Sequence, residues 1–241
     1  MDFYHEDCDL HSASAEYAKR FSGPAGRWML ALQSRIVLRM LKEHPTVAVL
    51  DVGGGHGQIS VPAAQQGYKI TCLGSSAEAF NQVQAVAGGE GVLTRVGELL
   101  DIPFEAKSFE VVTCFRILAH CRGWQRLVGE MCRVSRSDVI VDYPLSRSVN
   151  ALTPLLFGAK KGIEKNTRDY ALFSEAEVDH QFREHGFERA SATKQFFFPM
   201  VVHRMLGAPA LSSLIEIIPR VLGLTSLLGS PIIACYRKRA G

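Results

Sequence analysis

The sequence predicts an α/β fold, a mostly parallel sheet with helices on both faces. Three observations carry this. Runs rich in β-formers alternate with helical segments every roughly 20–30 residues between positions 47 and 142, the spacing of right-handed βαβ crossovers. The first run, Val47-Ala-Val-Leu50, is continuously apolar, as a strand covered on both faces must be. It leads through Asp51 straight into Gly53, Gly55 and Gly57, ahead of an apolar-periodic helix. A strand that runs into a glycine-rich turn and a helix N-terminus forms a cofactor cradle, because the backbone there can be approached closely.

The elements follow in order. Residues 1–10 carry mixed charge and little periodicity. A helix is predicted from Ser12 or Ser14, with Glu16 in its first turn and Tyr17 and Phe21 one turn apart; Ser-Gly-Pro-Ala-Gly at 22–26 is predicted to break it. A second helix is expected over 27–43, where Trp28, Leu32, Val37, Leu38 and Leu41 approximate helical spacing, and His44-Pro45 ends it. Strands are predicted at 47–52, 68–73, 92–96, 109–115 and 138–142. Helices are predicted at 57–66, with Gly67 as its stop, from Ser76 through Phe80, Val83 and Val86 to Gly88-Gly89, and at 124–134. Beyond Pro144 the regularity fails: an apolar patch at 152–157 precedes a basic loop with Lys160, Lys161, Lys165 and Arg168. Ser174 and Glu177 have the spacing of a capping box for a helix ending at His185-Gly186. A strand at 187–198 follows, then a helix at 203–222 with Leu211, Leu214, Ile215, Ile218 and Leu222 on one face and a kink at Pro219, and a closing strand at 231–238.

Composition narrows the function classes. The net charge is +3 over 241 residues, with basic residues scattered, so nucleic acid is not an expected partner. None of the six cysteines forms a C-x-x-C pair and no metal site is assigned; the thiols fit a reducing, cytoplasmic compartment. The N-terminus lacks the apolar core of a secretory signal. The longest uncharged apolar stretch, 221–236, is interrupted by Gly223, Gly229 and Pro231, so stable membrane insertion is not expected.

In a parallel sheet the ligand sits beyond the carboxyl ends of the strands. That gathers 53–57, 74–76, 97–99, 115–120 and 143–146 around one crevice. A dinucleotide fits poorly: the position three after Gly55 is Gln58, and strand two ends Leu73-Gly74-Ser75 without an acid. No Gly-Lys-Ser/Thr follows for a nucleoside triphosphate.

Four segments share a different pattern. Asp51-x-Gly53-x-Gly55-x-Gly57 resembles motif I of the class I S-adenosylmethionine-dependent methyltransferases (the type 11-like domain). Val96-Gly97-Glu98-Leu-Leu-Asp101-Ile-Pro103-Phe104 resembles that family's G-D-A-x-x-L-P-F segment. Ser108-Phe109-Glu110-Val111-Val112 resembles its S-F-D-V-V strand, and 127–136, with Glu130, Arg133 and Val134, its L-x-E-x-x-R-V-L-x-P helix. The resemblance covers about residues 45–143 and implies a Rossmann-like, seven-stranded fold binding S-adenosyl-L-methionine. By the same resemblance Asp51 orients the glycine loop or the cofactor's amino group, and Gly53, Gly55 and Gly57 admit its methionine and ribose. Glu98 stands where the family reaches the adenine amino group, Leu99 flanks the ring, and Phe115 and Arg116 lie near the sulfonium. The departure is Gly74, where the family carries an acid for the ribose hydroxyls; Ser75, Ser76 or Glu78 are candidates to compensate.

Within this frame the chain is read as one domain over 1–241, with an N-terminal helical lid at 1–45, a cofactor-binding core at 46–144, lid and C-terminal elements at 145–230 and a closing strand at 231–238. His120 is the first candidate for a base, since an imidazole's unperturbed pKa of ~6.5 suits proton removal at neutral pH. Tyr143, just past strand five, is the second, while Asp142 is read as fixing the strand end. Tyr17, Phe21 and Trp28 offer aromatic surface for a substrate. The apolar surface outside the sheet region points to a small hydrophobic or aromatic acceptor, with O-methylation favoured and contact with a membrane surface among the expectations. The alternative is a non-catalytic relative that uses the crevice for binding or assembly; Gly74 is the feature that favours it.

Overall fold

The seven predicted strands pair into one sheet. They are β1 (Ala48–Val52), β2 (Lys69–Gly74), β3 (Val92–Val96), β4 (Phe109–Cys114), β5 (Ser135–Tyr143), β6 (Phe187–Phe196) and β7 (Ser230–Lys238). Their order is β3-β2-β1-β4-β5-β7-β6; β1 to β5 run parallel, and β7 lies antiparallel between β5 and β6. The chain winds outward from β1 to β3, then restarts at β4 on the other side of β1, so the switch point falls between β1 and β4. In the register Asp51 stands beside Cys72 on one side and Thr113 on the other. This computed structural model describes residues 8–13, 19, 21–87, 91–152 and 170–239.

The helices are α1 (Cys8–Ala13), α2 (Gly23–Leu41), α3 (Ser60–Ala64), α4 (Asn81–Ala87), α5 (Trp124–Val134), α6 (Glu175–Glu184), α7 (Met200–Leu206), α8 (Pro209–Val221) and α9 (Leu224–Leu228). One apolar cluster packs Leu127, Met131 and Phe182 against Val112, Val139 and Tyr236; a second packs Val37, Leu41 and Ile59 against Val49, Val111 and Ile140. Adjacent residues of one strand, Val111 and Val112, thus enter opposite clusters. Covering both faces is what makes these strands read as continuous apolar runs. All six cysteines are buried and outside any disulfide. Among the described residues no helix is long and apolar enough to cross a membrane.

Several boundaries move. The second helix, expected from 27, already starts at Gly23: Ser22 is its N-cap and Pro24 sits in the first turn, where its missing N–H costs nothing, while most of the helix expected before it, at 14–18 and 20, lies outside the described residues. The helix predicted at 57–66 shortens to α3, because Gly57 takes a left-handed φ of +67°. Ser174 accepts from the Glu177 N–H at 3.1 Å, as the capping motif requires. The single helix expected over 203–222 is two. Gly207, at φ +65°, closes α7, and Pro209 starts α8. The predicted apolar face of α8 points outward: Leu214 is 60% and Ile218 67% exposed, while Ser212 and Glu216 are buried. Glu216 turns inward because its carboxylate accepts from the backbone N–H groups of Phe197 (2.9 Å) and Phe198 (3.0 Å) and lies 3.1 Å from His203 Nε2.

Candidate functional site

The glycine turn is held from below by Asp51. Its side chain accepts from Thr113 Oγ1 at 2.8 Å and from Ser60 Oγ, tying β1 to β4 and to the start of α3. Burial pushes the Asp51 carboxyl above its usual range, against those two bonds. Gly53 adopts φ +70°, and a Cβ added there would stand 2.6 Å from Ile117 Cδ1. Only glycine makes this corner. The Gly55 carbonyl accepts from the Val83 N–H at 2.9 Å, which seats the turn on α4.

The end of β2 explains the missing acid. A Cβ at Gly74 would lie 2.9 Å from Ala79 Cβ and from two carbons of the Phe80 ring, so the side of β2 that would carry an acid is filled. A carboxylate arrives from elsewhere. Asp9 of α1, fully buried, accepts from the Ser75 N–H at 2.7 Å and from Ser75 Oγ at 2.6 Å. Its Cβ lies 3.4 Å from where a Cβ on Gly53 would sit, so Asp9 spans the cradle between the turn and β2. The neighbouring Cys8 anchors α1 in the core cluster that holds Leu73 and Ile117.

At the ends of β4 and β5 the geometry turns on Arg116, a non-glycine residue at φ +63°. Its N–H donates to Asp142 Oδ1 at 2.5 Å, and its guanidinium carbon lies 5.3 Å from the Phe21 ring centroid, in the range of a cation–π contact. Gln33 of α2 donates to Asp142 Oδ2 at 2.8 Å and accepts from Gln58 Nε2, making a buried polar chain from the glycine turn to β5. Burial pushes the Asp142 carboxyl up to about 6, against the bonds from Arg116 and Gln33. Burial, with the Arg116 charge adding to it, pushes the His56 imidazole down to about 3, so it is neutral at physiological pH.

Arg116 and Phe21 stand between two cavities and line both. The smaller, about 290 Å³, borders the glycine turn at His56, Gly57 and Gln58. The larger, about 490 Å³, opens beyond β4 and β5, with Met29, Leu172, Phe196, Pro199, Met200 and Val201 among its apolar walls. Asp142, His120 and Gln33 are polar members of that wall, and Tyr170 lies with its ring 5.4 Å from that of His120.

Residues 50–141 match the family described as "Methyltransferase domain". That span is a methyltransferase domain. The chain is 30% identical over 136 residues to a norajmaline N-methyltransferase of Rauvolfia serpentina, covering 52% of this chain and 45% of that one. It is 25% identical over 143 residues to a ubiquinone biosynthesis O-methyltransferase of Rickettsia conorii, covering 56% and 48%. It thus spans about half the length of these curated relatives. Among solved structures, a magnesium protoporphyrin IX methyltransferase from Synechocystis superposes with a TM-score of 0.67 at 15% identity, over 95% of this chain and 98% of that one. The cyclase SpnF superposes at 0.58 with 17% identity, over 86% and 81%. At such identities the likeness is one of fold.

The methyltransferase domain collects some of the sequence-predicted residues and not others. Asp51, Gly53, Gly55, Gly57, Gly74 and Ser75 surround the crevice between β1 and β2. Glu98 is exposed past β3, whereas Leu99 is fully buried in the core with Ile102 and Trp124. Phe115 packs under the sheet with Val111 and Ile140, away from both cavities. His120 and Phe21 line the larger cavity. Tyr143 gives its ring to that wall, but its hydroxyl lies 3.2 Å from Tyr236 Oη, which donates to Asp179 at 2.8 Å; burial pushes the phenol up to about 12, which removes it as a base at neutral pH. Trp28 packs on Phe196 (5.5 Å) and His203 (5.4 Å), outside the residues that line either cavity. Tyr17 and the basic loop at 160–168 lie outside the described residues.

Two site residues escaped the sequence reading and a third was read in part. Asp9 had no motif around it. Gln33 hid inside an amphipathic helix, where its polar break among apolar neighbours was a usable signal. Asp142 was read as a strand end and is that, through Arg116, but it also faces the larger cavity.

Proposed function

We propose that this chain transfers a methyl group from S-adenosyl-L-methionine to oxygen on a small hydrophobic or aromatic acceptor held in the larger cavity. One observation carries the reading: a largely apolar cavity of about 490 Å³, the size of a small-molecule site, meets the smaller cavity of the glycine turn at Arg116 and Phe21 and holds a buried carboxylate and an imidazole on its wall.

The residues present fit the cofactor. Gly53 and Gly57 leave the turn without side chains, and the positions a Cβ would take there are bounded by Ile117 and Val61. Asp9 supplies the carboxylate that Gly74 lacks. Its oxygens accept from the Ser75 N–H and Oγ, which holds the carboxylate in the cradle where the ribose hydroxyls would lie. When bound, the cofactor supplies an electrophilic methyl carbon on a sulfonium. The chain's own part is alignment, exclusion of water and removal of a proton. Arg116, held in its left-handed conformation by Asp142, separates the two subsites and sets the acceptor's distance. His120 takes the proton from an acceptor hydroxyl, and Asp142 orients that hydroxyl. A hydroxyl must lose a proton to attack and a neutral amine need not, so two proton-accepting groups on one wall favour oxygen over nitrogen.

The test has two stages. Calorimetry with S-adenosylhomocysteine reads cofactor binding, and methyl transfer from labelled S-adenosylmethionine into an organic extract of cells reads the acceptor class. Binding with label in a phenolic or hydroxylated lipophile supports the proposal; label only in amines overturns the oxygen assignment. Cofactor binding without any transfer would favour the non-catalytic reading, which Gly74 supports.

A further inference from the structure

Helix α8 is built inside out for a soluble protein. Leu211, Leu214, Ile217, Ile218, Val221 and Leu222 are all exposed, Val221 by 80%. They fall within an arc of roughly 140° around the helix axis. The opposite side carries Ser212 and Glu216, both buried. An exposed apolar stripe backed by buried polar groups is the informative departure from the usual distribution, and marks an interaction face. The flanking helices add Met205 on α7 and Leu227 on α9, 74% and 65% exposed.

Charge identifies the occupant. Across residues 197–229 the charged side chains are Arg204, Glu216 and Arg220. Glu216 is buried, so the surface of this segment carries Arg204 and Arg220 and no exposed acid. A second copy of the chain docked face to face about a two-fold axis would bring these like charges together with no acid from the segment to pair them. An anionic bilayer has the opposite sign and an apolar interior, and it matches a helix lying in the interface with basic flanks.

The same segment walls the larger cavity. Met200, Val201 and Arg204 of α7 line it, and Met205, the next residue, is exposed. We propose that α7–α9 dock on the surface of an anionic membrane, with the apolar face of α8 sunk into the acyl boundary, so that the larger cavity receives its acceptor from the bilayer. The docking stands on the surface alone; the delivery of an acceptor rests on the function proposed above.

Vesicle flotation tests it, using the full chain with phosphatidylcholine vesicles and with vesicles containing phosphatidylglycerol. The wild type is expected to float with the anionic vesicles, less so at high salt, because exposed charges are screened. Leu214→Glu/Ile218→Glu is expected to cut binding by more than about tenfold, while S-adenosylhomocysteine binding by calorimetry stays unchanged. Both positions are exposed and outside either cavity, so the variant folds. Wild type that floats with neither vesicle overturns the docking. So does a dimer, seen by light scattering, that the double variant breaks while vesicle binding is absent. The vesicle arm needs no cofactor and no acceptor, so loss of the cofactor reading would leave its result standing.

Discussion

Among the described residues, Asp142 is the carboxyl of the larger cavity whose ionisation opposes folding, and Asp142→Asn removes it. Burial raises its pKa from 3.8 in the unfolded chain to about 6. The shift of about two units corresponds to about 3 kcal/mol. The sign follows from proton counts. Between these two values the folded protein holds the proton and the unfolded chain does not, so this group's contribution to stability is present at low pH and is lost as pH rises through about 6. Between pH 4.5 and 7.5 about 2 kcal/mol of the total is lost, the rest falling below pH 4.5.

The asparagine is accommodated by the polar chain around it. Its Oδ1 still accepts from the Arg116 N–H. Its amide meets Gln33, which turns its own amide over, and Gln58 follows, because Gln58 Oε1 is buried with no partner. Urea unfolding of wild type and Asp142→Asn at the two pH values isolates the group, since every other titration cancels between the proteins. The stability of wild type relative to the variant is expected to fall by about 2 kcal/mol from pH 4.5 to 7.5. A difference that stays constant, or rises, refutes the account.

Three shorter predictions follow from the same geometry. Gly74→Asp, which restores the family's usual acid, is expected to lower stability by about 1–3 kcal/mol through overpacking against Ala79 and Phe80, read by thermal unfolding, without tightening S-adenosylhomocysteine binding. Asp9→Asn is expected to weaken that binding about tenfold or more, since hydrogen bonds to a charged group are worth about 1.5–3 kcal/mol; tighter binding in calorimetry would instead make α1 a plug over the cradle. Tyr143→Phe is expected to keep full methyl transfer while losing about 1 kcal/mol of stability with the Tyr236 hydrogen bond, and a large loss of turnover would return Tyr143 to the chemistry.

The parallel core was legible because its physics is local and periodic. A strand covered on both faces must be apolar throughout, and a turn that takes φ +70° beside Ile117 must be glycine, so β1 and Gly53 announce themselves. Leu99 and Phe115 were placed at the crevice by resemblance to a motif, which gives the chain position and not the rotation of a side chain about a strand end; both turn into the core. The division of α7 from α8 was readable in Gly207-Ala208-Pro209, a helix stop followed by a helix start, and the apolar periodicity across it hid the break. The hydrogen bond of Tyr143 was hidden for a different reason. Its partner Tyr236 is 93 residues away, and no local pattern announces that pairing.

What the periodicity of a helix supplies is a face, not the direction that face points. In α8 the direction is decided by Glu216. Left in an apolar surrounding without donors, a carboxylate costs several kcal/mol. It is satisfied here by two backbone N–H groups where the chain passes from β6 into α7, so the helix turns its polar side inward and its leucines and isoleucines follow outward. The same logic sets α1. Six residues of helix have little apolar surface to hold them, and what ties this one to the sheet is Cys8 in the core and the Asp9 carboxylate on two donors of Ser75. In the parallel core hydrophobic burial chooses the arrangement. In the segments added around it, single buried carboxylates choose, each by where its donors lie. An acid missing from the end of β2 is therefore not an acid missing from the cradle. The position can be filled from any segment that brings a carboxylate to Ser75, and α1 does so from 66 residues away.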